Sequence, residues 1–307
     1  MSSRPLISIL LPIYNYVNIK PVVKSILNQD YQNFELLICD DGSIPPLQYF
    51  DFKDNRIKYF RNKNNIGLGP TLNKLLRRAD KKSKYFSTIE QDDIYKPFFI
   101  SDCIKFLEEN MNFGLVSGIS EFWDGSKVAY KFPGMLDNGV EYPFGVEMFL
   151  INYKKQIKVS LSCMVVRKKI HLEKKIMFSE KYDSLSVDWD YVLRFSLISK
   201  IKGLQKVFVR KDRRKERSSL TTNHKKAGEI VRELLLDFKN EFSHIITNKD
   251  YNYALATQYY TELGNYKFLS RMSLIMFKIV FLDPDKKRIK KRIKKEFFNK
   301  MFLWRKN

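Results

Sequence analysis

A chain of 307 residues, 44% hydrophobic and 14% aromatic, can bury the core of one large α/β domain with a smaller appendage, and is too apolar for a disordered segment. Its 56 Lys and Arg outnumber 34 Asp and Glu, for a net charge of +22, which fits an anionic partner: nucleic acid, an anionic membrane or a phosphorylated substrate. Cys39, Cys103 and Cys163 lie apart in apolar runs and only three His occur, which argues against a disulfide framework and against thiolate or histidine-rich metal sites, and suits a reducing cytosol.

Leu6 to Leu11 is too short for a signal peptide and stops at Pro12. No stretch approaches the ~20 apolar residues of a membrane span. LISILL (6–11) instead predicts a buried parallel strand. After the turn PIYNYVN, a helix carries Val22, Val23, Ile26 and Leu27 on one face. FELLICDD (34–41) predicts a second buried strand ending in two aspartates and Gly42-Ser43, and RIKYF (56–60) a short third. Past NNIGLGP, a helix turns Leu72, Leu75, Leu76 and Ala79 inward, and KYFSTI (84–89) is the next strand. Alternating strands and helices predict a mostly parallel sheet, whose ligands sit at the carboxyl ends of the strands. The acidic clusters 40–41 and 90–93 both fall at such ends.

Further along, the pattern predicts a helix over 97–110, a strand over 114–123 with GSKVAYKF as hairpin partner, a strand over 160–166, a helix over 185–200 and a closing strand over 204–210. The basic loop KDRRKERSSLTTN follows, and from about residue 224 the chain reads as helical. No internal repeat is evident. Paired carboxylates at a strand end suit either a solvated turn or a hard cation, because Mg²⁺ and Mn²⁺ take oxygen ligands and share them with phosphate.

The blocks ISILLPIYN, SILNQDYQNFELLICDDGS, NNIGLGPTLN, EQDDIYKP and DWDYVLR, in this order, resemble the inverting family two nucleotide-sugar glycosyltransferases over about residues 5–220. The resemblance implies a GT-A α/β fold at 1–220, with a mostly parallel central sheet flanked by helices, and leaves 221–307 as a helical, basic C-terminal region. Pro12, Tyr14 and Asn15 match the first nucleotide-binding loop, and Asp41 the aspartate that accepts a hydrogen bond from the base, typically uracil. Asp40 would position that loop. Glu90-Gln91-Asp92-Asp93 matches the metal (DXD) motif, with Glu90 in place of the usual aspartate. Asp92 would then contact the ribose and Asp93 the Mn²⁺ or Mg²⁺ that neutralises the donor diphosphate. The same cation would reconcile adjacent like charges with each other, inside a positive field that gathers the donor.

Asp188 in VDWDYVLR matches the general base that deprotonates the acceptor hydroxyl, although Val187 stands where the family carries Glu. Asp188 also suits a helix cap. Asp190 reads as surface charge favoured by the helix dipole or as a support residue, and Trp189 as either a stacking platform for the acceptor sugar or core. Two departures stand out: Leu72-Asn73 replaces the frequent Arg-Asn, and no His follows the last strand. Arg213, Arg214 and Arg217 occupy that loop, where Arg214 and Arg217 could hold the diphosphate as a fork or the loop could be solvated. There is no GxxxxGK[ST], GxGxxG, nucleophile elbow or Cys-His pair.

Residues 283–307 hold eleven Lys/Arg and three Asp/Glu, hence 11 − 3 = +8, with Ile289, Ile293, Phe297 and Met301 on one stripe and Phe298, Phe302 and Trp304 beside it. Phe268, Met272, Ile275, Met276 and Ile279 extend the pattern upstream. This predicts an amphipathic helix at an anionic membrane surface, against the alternative that the stripe packs inward. Nucleic acid is not expected, since no groove-reading motif accompanies the charge. The expected activity is sugar transfer from a UDP-linked donor to a glycan or lipid-linked glycan acceptor in bacterial surface-polysaccharide synthesis, at the cytoplasmic face of the plasma membrane. The alternatives are a nucleotidyltransferase, for which PIYNYVN lacks the expected Gly-rich loop ending in Arg or Lys, and a non-catalytic anion-binding protein.

Overall fold

A computed structural model of the chain describes residues 4–16, 18–47, 53–132, 145, 159–181, 186–212, 224–263 and 269–291. Two compact units emerge, one of 1–148 with 157–220 and one of 149–156 with 221–307. In the first, β1 (Ile7–Ile13), α1 (Lys20–Leu27), β2 (Phe34–Asp40), β3 (Ile57–Arg61), α2 (Leu68–Arg78) and β4 (Tyr85–Thr88) follow one another. After them come β5 (Ile94–Tyr95), α3 (Phe99–Glu109), β6 (Phe113–Trp123), β7 (Val128–Phe132), a 3₁₀ turn (Leu161–Cys163) and β8 (Met164–Arg167). α4 (Lys168–Glu173), α5 (Val187–Ile198) and β9 (Lys200–Asp212) complete the unit.

The sheet runs β3-β2-β1-β4-β8-β6-β9-β5, with β7 paired to β6. The parallel arrangement expected from strand–helix alternation holds across β3-β2-β1-β4. Every residue of β1, β2 and β4 is buried, as strands covered on both faces require. Beyond β4 the sheet is mixed: β8 is antiparallel to β4 and β6, β9 is parallel to β6, and β5 is antiparallel to β9. The strand expected at 160–166 begins at Met164, because Leu161–Cys163 forms the 3₁₀ turn, which leaves the Ser162 hydroxyl to serve the loop after β4.

α1 buries Val22, Val23 and Ile26 beside Ile9, Leu36 and Ile38 of the strands, in a core that also takes Phe99 and Ile104 of α3. α5 is held under β4 by rings: Tyr191 stacks on Phe178 with centroids 4.3 Å apart, and Phe86 of β4 meets Tyr191 edge-on at 6.4 Å. His171 joins this group, and burial pushes its ring down to about 4, so it packs neutral at physiological pH. The stretch before α5 is clamped to α2. Asn73 donates to the Phe178 carbonyl at 2.9 Å and accepts from the Phe178 N–H at 3.0 Å. Thus Leu72-Asn73, the departure from Arg-Asn, supplies a fully buried leucine and a structural amide.

The second unit holds α6 (His224–Glu241), α7 (Asn248–Leu263) and α8 (Leu269–Leu282), and the chain is helical again at 286–291. Ile275, Ile279 and Ile289 are buried with Tyr260 and Leu263, and Met276 packs against them. This part of the stripe expected at a membrane is core. The opposite face of α8 is open, with Leu274, Phe277, Val280 and Phe281 exposed, Phe281 by 71%. The side chains of Phe268 and Met272 and the residues from Ile293 onward lie outside the described residues. Among the described residues no helix is long and apolar enough to cross a membrane.

The close fit of α2 is testable at Gly69, where a Cβ would stand 1.9 Å from the Ser179 carbonyl oxygen. Gly69→Ala should destabilise the protein by about 1–3 kcal/mol in urea unfolding, the usual cost of overpacking against backbone; unchanged stability would show that the 178–181 segment is not docked there.

Candidate active site

Three loops at the carboxyl ends of β1, β2 and β4 are laced to one another. After β1, the backbone reverses at Asn15, in a left-handed conformation with φ +48. The Asn15 N–H donates to Ser43 Oγ at 2.9 Å, and Asn15 Oδ1 accepts from the Ile44 N–H at 3.1 Å. The Tyr14 N–H donates to Gln91 Oε1 at 2.8 Å. Asn15 and Ser43 therefore join the first loop to the second, and Gln91 joins it to the third. Pro12 sits buried within β1, opposite Cys39, while Tyr14 is 45% exposed.

The two aspartates after β2 have separate roles. Asp40 is fully buried and accepts from the backbone N–H groups of Ser43 (2.9 Å) and Leu47 (3.2 Å), with Arg61 3.7 Å away. Burial pushes its carboxyl up, but these donors and Arg61 more than offset that and hold it below the ordinary range. Asp41 turns toward the NNIG loop. Its Oδ1 accepts from Asn62 Nδ2 (2.7 Å) and the Ile66 N–H (3.0 Å), and its Oδ2 from the Gly67 N–H (2.9 Å). Oδ2 keeps lone-pair capacity for one further donor. Gly42, at φ +75, presses against Asn64 and Asn65 so closely that a Cβ would lie 2.4 Å from backbone carbon. Only glycine tolerates both demands.

In the third loop the members of EQDD part company. Asp93 is 1% exposed; Lys211 Nζ lies 2.8 Å from its Oδ2, and the Ser162 hydroxyl donates to the same atom. Lys211 also pairs with Glu90 and donates to Ser160 Oγ at 3.1 Å. Two carboxylates thus share one buried ammonium. Burial pushes the Asp93 carboxyl up to about 7, against the pull of Lys211 and with help from Glu90 and Asp92. Burial alone would push Lys211 down, yet Asp93 and Glu90 outweigh it and keep the ammonium charged. Asp92 points elsewhere, into a cavity of about 160 Å³ lined also by Tyr16, Asn18, Trp123, Arg210 and Asp212. A larger hollow of about 1020 Å³ lies at the other end of the sheet, beside Leu6, Tyr31 and Lys84, away from these loops.

Mn²⁺ or Mg²⁺ was expected at Asp93, and the residues there do not fit one. The carboxylate is engaged by an ammonium and a hydroxyl. Asp188 lies in the first turn of α5, half-buried, its Oδ1 accepting from the Trp189 N–H at 2.8 Å; the N-cap position falls on Ser186, whose side chain makes no capping hydrogen bond. Asp190 is fully buried and paired with Arg194 at 3.0 Å, so it is a support residue and not surface charge. Trp189 is buried. Hydrogen bonds join the loops bearing Tyr14, Asn15, Asp41 and Asp92, with Pro12 in the strand that leads into the first of them, whereas Asp188 reaches the same sheet through the packing of Tyr191 on β4. Arg213, Arg214 and Arg217 lie outside the described residues. Ser43, Asn62, Gln91, Ser162 and Lys211 escaped the sequence reading, since nothing local to any of them names its partner.

This architecture, a parallel half with acidic turns at its strand ends joined to a mixed half, is that of the GT-A glycosyltransferases. Structures of Staphylococcus aureus TarS (1–349) superimpose with a TM-score of 0.63 at 18% identity, over 91% of this chain and 81% of that one. TarS has also been solved with UDP and with UDP-GlcNAc, at TM-scores of 0.62 and 0.61. Residues 8–171, more than half of the chain, match Glycosyl transferase family 2, and the chain belongs to that family. An uncharacterized glycosyltransferase of Haemophilus influenzae is 24% identical over 96% of this chain and 98% of its own length. Another, from Rickettsia conorii, is 40% identical over 34% of this chain, a match that spans 17% of that protein. The putative glycosyltransferase EpsE of Bacillus subtilis is 29% identical over 52% of this chain and 61% of its own.

The contact between the second loop and NNIG gives a direct check. Gly42→Ala should cost about 2–4 kcal/mol of stability, combining left-handed strain with overpacking, as read by thermal unfolding; a cost below about 0.5 kcal/mol would mean the two turns do not meet as described.

Proposed function

We propose that the chain transfers a sugar from a UDP-linked donor to a hydroxyl of a glycan or lipid-linked glycan acceptor, with inversion. The observation that carries this reading is the lacing of the three strand-end loops, which presents Tyr14, Asp41 and Asp92 along one edge of a family 2 sheet. The free lone pair of Asp41 Oδ2 suits the ring N–H of uracil, and the amides of Ile66 and Gly67 hold that carboxylate in place. Asp92, with Tyr16 beside it, lines a polar cavity suited to a ribose.

Asp188 takes the acceptor proton as the acceptor oxygen forms its bond to the anomeric carbon. The bond from that carbon to the diphosphate breaks on the opposite face, and the nucleoside diphosphate leaves with the electron pair. Arg210, which lines the cavity, and Arg214 and Arg217 supply positive charge toward the departing diphosphate.

The acceptor is presented at the inner face of a bacterial plasma membrane. The support for this is the exposed apolar face of α8, Leu274, Phe277 and Phe281, followed by the exposed Lys286, Lys287, Lys290 and Lys291. Such a face enters the headgroup region while lysines meet anionic lipid. Arg288 takes no part, since it is bound to Asp283 at 2.7 Å and stacked on Tyr253.

Calorimetric titration should show UDP binding that Asp41→Ala weakens about tenfold or more, on the scale of a hydrogen bond to a charged group. Asp188→Asn should keep that binding while turnover falls on the order of 10²-fold. Normal turnover in this variant would remove Asp188 as the base, and absence of UDP binding in the wild type would remove the whole reading. In flotation assays, the chain should associate with phosphatidylglycerol vesicles, and Phe277→Ser with Phe281→Ser should release it; equal flotation of the two proteins would defeat the membrane assignment.

A further inference from the structure

Lys211 is 8% exposed, near the end of β9, between the exposed Arg210 and the half-buried Asp212. Its neighbours Arg210 and Asp212 line the cavity that Asp92 enters, while Lys211 faces the other way, onto Glu90, Asp93 and Ser160. An ammonium has three donors and no acceptor, so these three partners use its capacity in full. A buried lysine keeps its charge where fixed anions replace its hydration. The carboxylates are themselves placed by other groups: the Glu90 N–H donates to Ser162 Oγ at 2.9 Å, and that hydroxyl donates to Asp93. A divalent ion bound between the same two carboxylates would have to share them with a like charge at contact distance, with Asp93 only 1% exposed.

We propose that Lys211 is the fixed cation of the acidic turn: it neutralises Glu90 and Asp93 from within the chain, closes both to divalent ions, and makes Asp93 a positioning residue. The inference rests on the reading of this cleft as the donor site and deepens it. With Glu90 and Asp93 both paired to Lys211, Asp92 is the carboxylate of EQDD that lines the cavity, beside Gln91. The sequence motif for a metal is thus partly satisfied by a side chain 118 positions beyond Asp93 in the chain (211 − 93).

The test is Mn²⁺ titration of the full chain without nucleotide, followed by the electron paramagnetic resonance of free Mn²⁺. The wild type, Lys211→Arg and Asp93→Asn should bind Mn²⁺ alike, because none of them offers Asp93 to the ion. Lys211→Met should gain a site at least about tenfold tighter than any in the wild type, and adding Asp93→Asn should abolish the gain. A wild-type Mn²⁺ site that Asp93→Asn removes would overturn the proposal, as would a folded Lys211→Met that binds no more tightly than the wild type. Should Lys211→Met fail to fold, the comparison of wild type, Lys211→Arg and Asp93→Asn still decides. A wild type that binds no UDP would sink the transferase reading, yet the Mn²⁺ titration would still judge Lys211.

Discussion

Negative charge collected at the carboxyl edge of a sheet repels itself, and this protein is built around holding it there. Asp40, Asp41, Glu90 and Asp93 stand at the carboxyl ends of β2 and β4, the strands on either side of β1. Each is matched inside the chain: Asp40 by the Ser43 and Leu47 amides, Asp41 by Asn62 and the Ile66 and Gly67 amides, and Glu90 with Asp93 by Lys211. Those same bonds fix the loops, so neutralising the acids and shaping the cleft are one event. Asp92 stands out from the group because it lines the cavity.

Much of the frame was legible in the sequence for a plain reason. Strands buried on both faces must read as unbroken apolar runs, and LISILL and FELLICD do; helices with one buried face must repeat every three to four residues, and Val22, Val23 and Ile26 do. The acidic turns were legible because Gly42 and Pro97 punctuate them. What could not be read was who meets whom. Ser162, in an apolar run that looked like strand, leaves the ladder to serve Asp93. Lys211 sits in a sequence of basic residues, and composition alone gives no means of distinguishing it from the exposed Arg210 beside it.

The second unit teaches the same point about helices. α8 is apolar nearly all round, LSRMSLIMFKIVFL, so two stripes compete for the inside. Tyr260 and Leu263 of α7 settle it by receiving Ile275 and Ile279, which turns Phe277 and Phe281 outward. Periodicity identifies that a helix has a face; which face is covered depends on a partner helix whose register is not written in the helix itself.

The length of β9 has a consequence for how such a chain can change. Its pairing with β6 is irregular at three places between Phe113 and Ser120, all of them before the strand reaches Arg210, Lys211 and Asp212. Each irregularity resets which side of the pleat the remaining residues take. Deleting a single residue upstream would therefore send the ammonium into the cleft and an aspartate into the acid pocket, whereas removing two would restore parity. Variation in this strand's length should proceed by even steps, or by odd ones only where an extra kink cancels them.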